Sequence, residues 1–191
     1  TADSDDTDRL AIEIAECRSM GIQVLGPDVN ESFKDFAIVP HEKKIRFGLL
    51  AVKAVGSGAV DAVLEARKTG GKFNSILDFA KRVNARQFNK KAWDSLIMTG
   101  AFDEFGTRSD LLFNLERIQE YGSKSQKEAL SGQTDLFGFA GADDMRVEST
   151  VELLTAPKQH TDKECLTWER ELLGLYVSAH PLDRYVKYFE E

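Results

Sequence analysis

Gly56-Ser57-Gly58 separates two apolar segments with helical spacing, Leu49–Val55 and Ala59–Lys68. Paired glycines let a backbone take positive φ, so the amides around Val55, Gly56, Ser57 and Gly58 are expected to face a ligand. The second segment starts at the same place, and its N-terminal dipole points the same way. Free amides at a positive helix end make a phosphate site, to which Lys53 and Lys72 could add charge. Such a site grips nucleic-acid backbone without reading bases, and its affinity falls as salt rises. The competing reading is a plain helix–turn–helix corner, because one Gly-x-Gly has little specificity. A degraded copy follows at residues 96–102, with Gly100 alone and then Asp103 and Glu104, whose charges repel phosphate. That copy reads as structural.

A second group with chemical character is Gln133-Thr134-Asp135-Leu136-Phe137, set in a stretch from Ser131 to Met145 that has three glycines and no helical period. An adjacent Leu and Phe in a polar loop either fold back onto the domain or mark a partner surface. As a ligand, Leu136 and Phe137 would fill an apolar pocket while Gln133 supplied oriented hydrogen bonds. Ordering such a peptide on binding limits its own affinity to the order of μM.

No catalytic or metal set emerges. Two-metal phosphoryl transfer needs carboxylates converging from a rigid scaffold, whereas Asp143-Asp144 and Asp5-Asp6 are neighbours on loop-like segments. His160 and Cys165 are only two donors, short of a zinc site. His180, before Pro181, reads as a capping or packing residue. Cys17 and Cys165 have no base at nucleophile spacing, and their separation suggests reduced thiols in a cytoplasmic protein rather than a disulfide framework. Trp93, Trp168, Phe102 and Phe105 are expected in the core rather than on a base-stacking surface.

The elements that would position these groups read mainly as helices. Leu10–Met20 is stopped by Gly21. Two short strands, Asp35–Val39 and Lys44–Leu49, should form a hairpin over Pro40-His41-Glu42. Gly70-Gly71 closes the helix after the Gly-x-Gly. Asn74 and Asn89 are expected to cap Ser75–Val83 and Lys90–Met98, and Ser109 to cap a helix Asp110–Tyr121 with Leu111, Leu112, Leu115 and Ile118 on its apolar face. Thr161 and Glu164 spell a capping box for a helix to Leu173, and Pro181 can open a last one.

The formal charge of −7 over 191 residues argues against nucleic acid until it is mapped. From His41 to Lys91 twelve basic residues face four acids, a local +8, while the rest of the chain carries −15. The 42% apolar and 30% charged composition excludes a wholly disordered chain. There is no apolar run of the ~20 residues a membrane span needs. A start at Thr1 and a stop on a charged, helix-like run suggest a piece of a longer protein.

The Val55–Gly58 turn resembles a helix-hairpin-helix module, and Gln133–Phe137 resembles the peptide that bacterial replication proteins insert into the sliding clamp. The wider chain, at Glu16–Ile22, Gly26–Asn30, Ile45–Leu49, Thr99–Asp103 and Gly174–Asp183, is similar to the bacterial DNA polymerase III α subunit, the C-family of replicative polymerases. That resemblance implies a mainly α fold: a tandem helix-hairpin-helix domain with a short β-hairpin before it and a partly irregular C-terminal segment. It implies residues 1–43 as the end of the fingers, 44–122 as the hairpin domain, 123–145 as the clamp-binding loop and 146–191 as a helical connector towards an oligonucleotide-binding domain. The implied partners are duplex DNA, the β sliding clamp and other polymerase III holoenzyme subunits, with no membrane. The implied parent is a DNA-directed DNA polymerase using Mg2+, whose catalytic carboxylates lie elsewhere, so this piece would hold no cofactor and be inactive alone. The alternatives are a hairpin-containing repair nuclease or glycosylase fragment, or a purely structural connector.

Overall fold

A computed structural model describes residues 7–131 and 151–179. The peptide Gln133–Phe137, Asp5-Asp6, Asp143-Asp144, His180 and Pro181 lie outside the described residues. In chain order the elements are α1 (Thr7–Ser19), β1 (Gln23–Leu25), β2 (Ala37–Ile38), β3 (Lys44–Arg46), a 3-10 turn at Leu49–Ala51, α2 (Ser57–Gly70), α3 (Ile76–Arg82), α4 (Lys90–Met98), α5 (Arg108–Phe113), α6 (Leu115–Ser131) and α7 (Asp162–Leu173). The mainly α expectation holds. The expected hairpin is present in shortened form, with β2 antiparallel to β3. Sequence reading missed β1, which pairs parallel with β3 and makes β3 the centre of a three-stranded sheet. Three residues are too few to show an alternating pattern.

The core is built around Phe79, which is fully buried. The rings of Phe73, Phe88, Trp93 and Phe102 stand 4.8, 5.2, 5.1 and 4.8 Å from it, edge-on or tilted. Such pairs add about 0.5–1.5 kcal/mol each beyond area burial. Val60, Val63, Leu96, Ile97, Leu111 and Ile118 complete the packing from α2, α4, α5 and α6. Trp93 and Phe102 are core residues as expected, while Trp168 is half-buried with its ring against His160 at 4.6 Å.

The caps follow local chemistry with two shifts. Asn89 accepts from the Ala92 amide at 3.0 Å, and Thr161 with Glu164 closes the expected capping box. The cap of α3 is Ser75, accepting from Asp78, and not Asn74. The helix expected from Asp110 to Tyr121 is two helices, and Thr107 rather than Ser109 caps the first of them. It breaks at buried Asn114, whose side chain turns back to the Asp110 carbonyl and also pairs with both backbone groups of Leu154. Ser109 is instead buried against residues 151–160: its Oγ accepts from the His160 amide at 2.8 Å and meets His160 Nδ1 at 2.9 Å.

Two contacts fix α6 on α3. A Cβ at Gly122 would stand 2.5 Å from the Ala80 carbonyl oxygen, so only glycine allows this approach. Gln126 donates to the carbonyls of Ala80 and Val83, at 3.0 and 2.7 Å, and accepts from the Ala85 amide. One side chain therefore satisfies groups that the end of α3 leaves open.

Candidate nucleic-acid interface

The expected helix Leu49–Val55 is a single 3-10 turn followed by a bend. Val52 and Val55 plant the bend in the core at 1% and 5% exposure. Between them Ala54 takes a left-handed conformation, φ 67°, which ends any helical path. The Lys53 amide crosses to the Leu172 carbonyl at the end of α7, at 2.9 Å. The left-handed residue of this turn is thus Ala54, and the expectation of positive φ at its glycines is corrected. Gly56 has φ −81° and ψ 159° and serves as the N-cap of α2.

Neither Gly56 nor Gly58 is required by its own surroundings. A Cβ at either would meet nothing within 4 Å, and neither has positive φ. Gly56, Ser57 and Gly58 are exposed, and their amides find no acceptor among the described residues. Three open donors and the positive end of a 14-residue helix therefore face solvent over a surface where, of the three residues, only Ser57 carries a side chain, and a small one. Such a surface admits an anion to backbone-contact distance.

The other expected contributors separate. Val55 anchors the turn: its side chain is buried and its amide donates to Val52 O at 3.1 Å, which removes it from the open donors. Lys53 is exposed and has no ion pair among the described residues. Lys72 lies beyond the opposite end of α2, about 20 Å away by the helical rise, and pairs with Glu31. The hydrogen bond from Lys72 holds the Glu31 carboxyl below the usual carboxylate range, and the same bond raises the Lys72 pKa. Distance and pairing together take Lys72 out of the Gly56–Gly58 site.

The +8 segment is also dispersed. Arg46, Arg67 and Arg82 spend their guanidinium groups on backbone carbonyls. Lys44 forms an ion pair with Glu42, as Lys72 does with Glu31. Lys81, Arg86, Lys90 and Lys91 stay exposed around the α3–α4 turn with no ion pair among the described residues. Counting charges along the sequence could find the excess but not its place.

The second hairpin, between α4 and α5, is closed on itself. Gly100 has φ 84°, its amide donates to Ile97 O, and a Cβ there would stand 2.4 Å from Arg108 Nη2. The Ala101 amide donates to Leu96 O, and its carbonyl accepts from Val29 at 3.1 Å. This glycine is needed by the fold, in agreement with the structural reading. Burial alone would lower the Arg108 pKa, but the hydrogen bond and charge of Asp103, with the charge of Glu169, raise it. Among the described residues no three His, Cys, Asp or Glu side chains are placed to hold a metal ion. Burial pushes the Cys165 thiol up, away from nucleophilic use.

Known proteins resemble this chain along its sequence. A helix-hairpin-helix motif family matches residues 21–111. The chain is 42% identical over 188 residues to the DNA polymerase III subunit alpha of Saccharopolyspora erythraea, covering 96% of this chain and 15% of that protein. Against the same-named proteins of Haemophilus influenzae and Thermus aquaticus the identities are 38% and 41%, covering 98% and 94% of this chain and 16% and 14% of theirs. The chain spans about a seventh of the length of these relatives. The resemblance seen in the sequence blocks is borne out over nearly the whole chain.

Proposed function

We propose that this chain, similar along nearly its whole length to one segment of the DNA polymerase III subunit alpha, is the part of such a polymerase that holds duplex DNA by its backbone. The observation that carries the reading is the pair Gly56 and Gly58. Glycine at two positions with ordinary φ and empty surroundings serves something outside the chain. The open amides of Gly56, Ser57 and Gly58 and the α2 dipole favour an anion there, and Lys53 adds a mobile charge. A phosphate oxygen accepting from these amides gives positioning without sequence preference. Among the described residues no cluster of three His, Cys, Asp or Glu side chains could hold a metal ion; we assign polymerisation to the rest of such a protein, and to this segment the task of orienting and retaining the template–primer.

The peptide Gln133–Phe137 supplies the second half of the proposal, a tether to the β sliding clamp alongside the other holoenzyme subunits in the cytoplasm. Among the described residues no helix is long and apolar enough to cross a membrane. Replacing Leu136 and Phe137 together by Ala should abolish capture by immobilised clamp and leave duplex affinity unchanged. Equal clamp binding by that double variant would remove the tether.

For the hairpin, Gly58→Val should lower duplex affinity at least tenfold in a fluorescence-anisotropy titration while thermal unfolding stays within a few degrees. Wild-type affinity should fall steeply with salt, because each neutralised phosphate contributes about 0.9 to the slope of log K against log salt. A salt-independent affinity would overturn the backbone contact.

A further inference from the structure

Between the α3–α4 turn and α6 runs a groove of 700 Å³ whose walls carry Lys81, Arg82, Arg86 and Lys127 and no carboxylate. Two other concavities mix their charges: one is lined by Asp103, Glu104, Asp162 and Arg108, and another, which shares Lys127 with the groove, by Glu116, Glu120, Glu128 and Lys124. Arg82 is committed to Asp78 and to backbone carbonyls. Lys81, Arg86 and Lys127 are exposed and have no ion pair among the described residues. They stand on both sides of the groove, with Asn84, Ser123 and Ser125 offering uncharged donors between them.

The turn that presents Arg86 is held in place. Val83 and Phe88, 2% and 3% exposed, anchor its two ends in the core. Inside it the Gln87 and Phe88 amides donate to the Asn84 carbonyl at 3.0 and 3.1 Å, and the Arg86 amide donates to Asn84 Oδ1 at 3.0 Å. The Ala85 amide donates to Gln126 Oε1 at 3.1 Å, which ties the turn to the opposite wall. The cations therefore start from fixed backbone, and ordering them on a ligand costs less than ordering cations on a free loop.

We infer that this groove is a second anion-binding surface, taking the phosphodiester backbone of a nucleic-acid strand at a place separate from the start of α2. The inference rests on the reading of this chain as a DNA-backbone-binding segment. A groove of 700 Å³ cannot enclose a whole duplex and suits one strand's phosphates, which a duplex or a single strand can both present. Base stacking plays no part, because Phe88 and Trp93 nearby are buried. The net sign of the walls excludes a cation, and the spread of three mobile charges over two walls suits a repeating anion better than a single small one.

The test uses this chain, a labelled random-sequence duplex and a labelled single strand. Three proteins are compared across a salt series: wild type, Gly58→Val, and the triple variant Lys81→Ala/Arg86→Ala/Lys127→Ala. The triple variant changes only exposed side chains, and unfolding curves check that its fold is kept. Its slope of log K against log salt should be shallower by roughly 2–3 on duplex, from about 0.9 per lost contact, or by about 2 on the single strand, from about 0.7 each. Loss on one probe alone identifies the source of the strand. Failure of wild type to bind either probe at low salt would sink the DNA reading itself. Wild-type binding that Gly58→Val weakens but the triple variant leaves unchanged in affinity and slope would overturn the groove alone. If the triple variant instead loses only a polyglutamate peptide, the groove serves an acidic protein segment and the inference is wrong.

Discussion

Glycines in this chain fall into two kinds that look alike in the sequence, and substitution should separate them. Gly48 and Gly58 both have ordinary φ. A Cβ at Gly48 would stand 2.5 Å from the Asp35 carbonyl carbon, whereas at Gly58 it would meet open space. Gly48→Ala must push two backbone segments apart and should cost about 1–3 kcal/mol. Gly58→Ala removes a poor helix former from the first turn of α2 and should be neutral or stabilising, by up to about 1 kcal/mol. Urea denaturation of the two variants reads the difference, and an equal cost at both positions would show that Gly58 is needed by the fold. The Gly-x-Gly was visible in sequence because its spacing is local. That Ala54 rather than a glycine takes the left-handed position was not, because the bend is set by the Lys53–Leu172 bond, between residues more than a hundred positions apart. The same limit misplaced Lys72, whose partner Glu31 is distant in sequence.

At the scale of elements, most helices were legible where a cap and a period coincide, as at Asn89 and at the Thr161–Glu164 box. Breaks were less so. Nothing in the period of Leu111, Leu115 and Ile118 reveals that Asn114 splits α5 from α6, since its reason is the Leu154 backbone that it must satisfy. The pairing of α6 with α3 was equally hidden, because it depends on a close backbone approach at Gly122 and one glutamine. Gln126→Leu keeps much of the volume of that side chain but strips partners from the carbonyls of Ala80 and Val83 and the amide of Ala85. Each buried group left open costs about 1–3 kcal/mol; these lie at a half-buried edge where water can replace part of the loss, so the expected total is about 2–4 kcal/mol. Amide exchange should accelerate first at Ala85 and the end of α3. A loss under about 0.5 kcal/mol, the size of an ordinary surface change, would mean that water does the work assigned to Gln126.

For the molecule as a whole, α7 is the piece that ties the two hairpins together. Its last turn accepts from the Lys53 amide, and its Glu169, 1% exposed, holds the second hairpin and the Val177-Ser178 segment at once. One carboxylate oxygen accepts from the amides of Val177 and Ser178, both at 3.0 Å; the other accepts from Ser178 Oγ at 2.7 Å and from Arg108 at 3.2 and 3.3 Å. A buried pair of this kind adds little net stability over an apolar replacement, but removing one partner leaves the other charge stranded, at about 3–5 kcal/mol. Glu169→Ala should therefore cost that much in chemical denaturation. Glu169→Gln should cost less, because its amide oxygen can still accept and Arg108 keeps Asp103 at 3.0 Å. The readout that tests the tie itself is exchange of the Lys53 amide, in the first hairpin. If α7 and both hairpins unfold as one cooperative unit, Glu169→Ala speeds that exchange by the factor set by its global destabilisation. Exchange unchanged at Lys53, with the second hairpin loosened, would show two independent hairpins sharing a helix and no coupling between them.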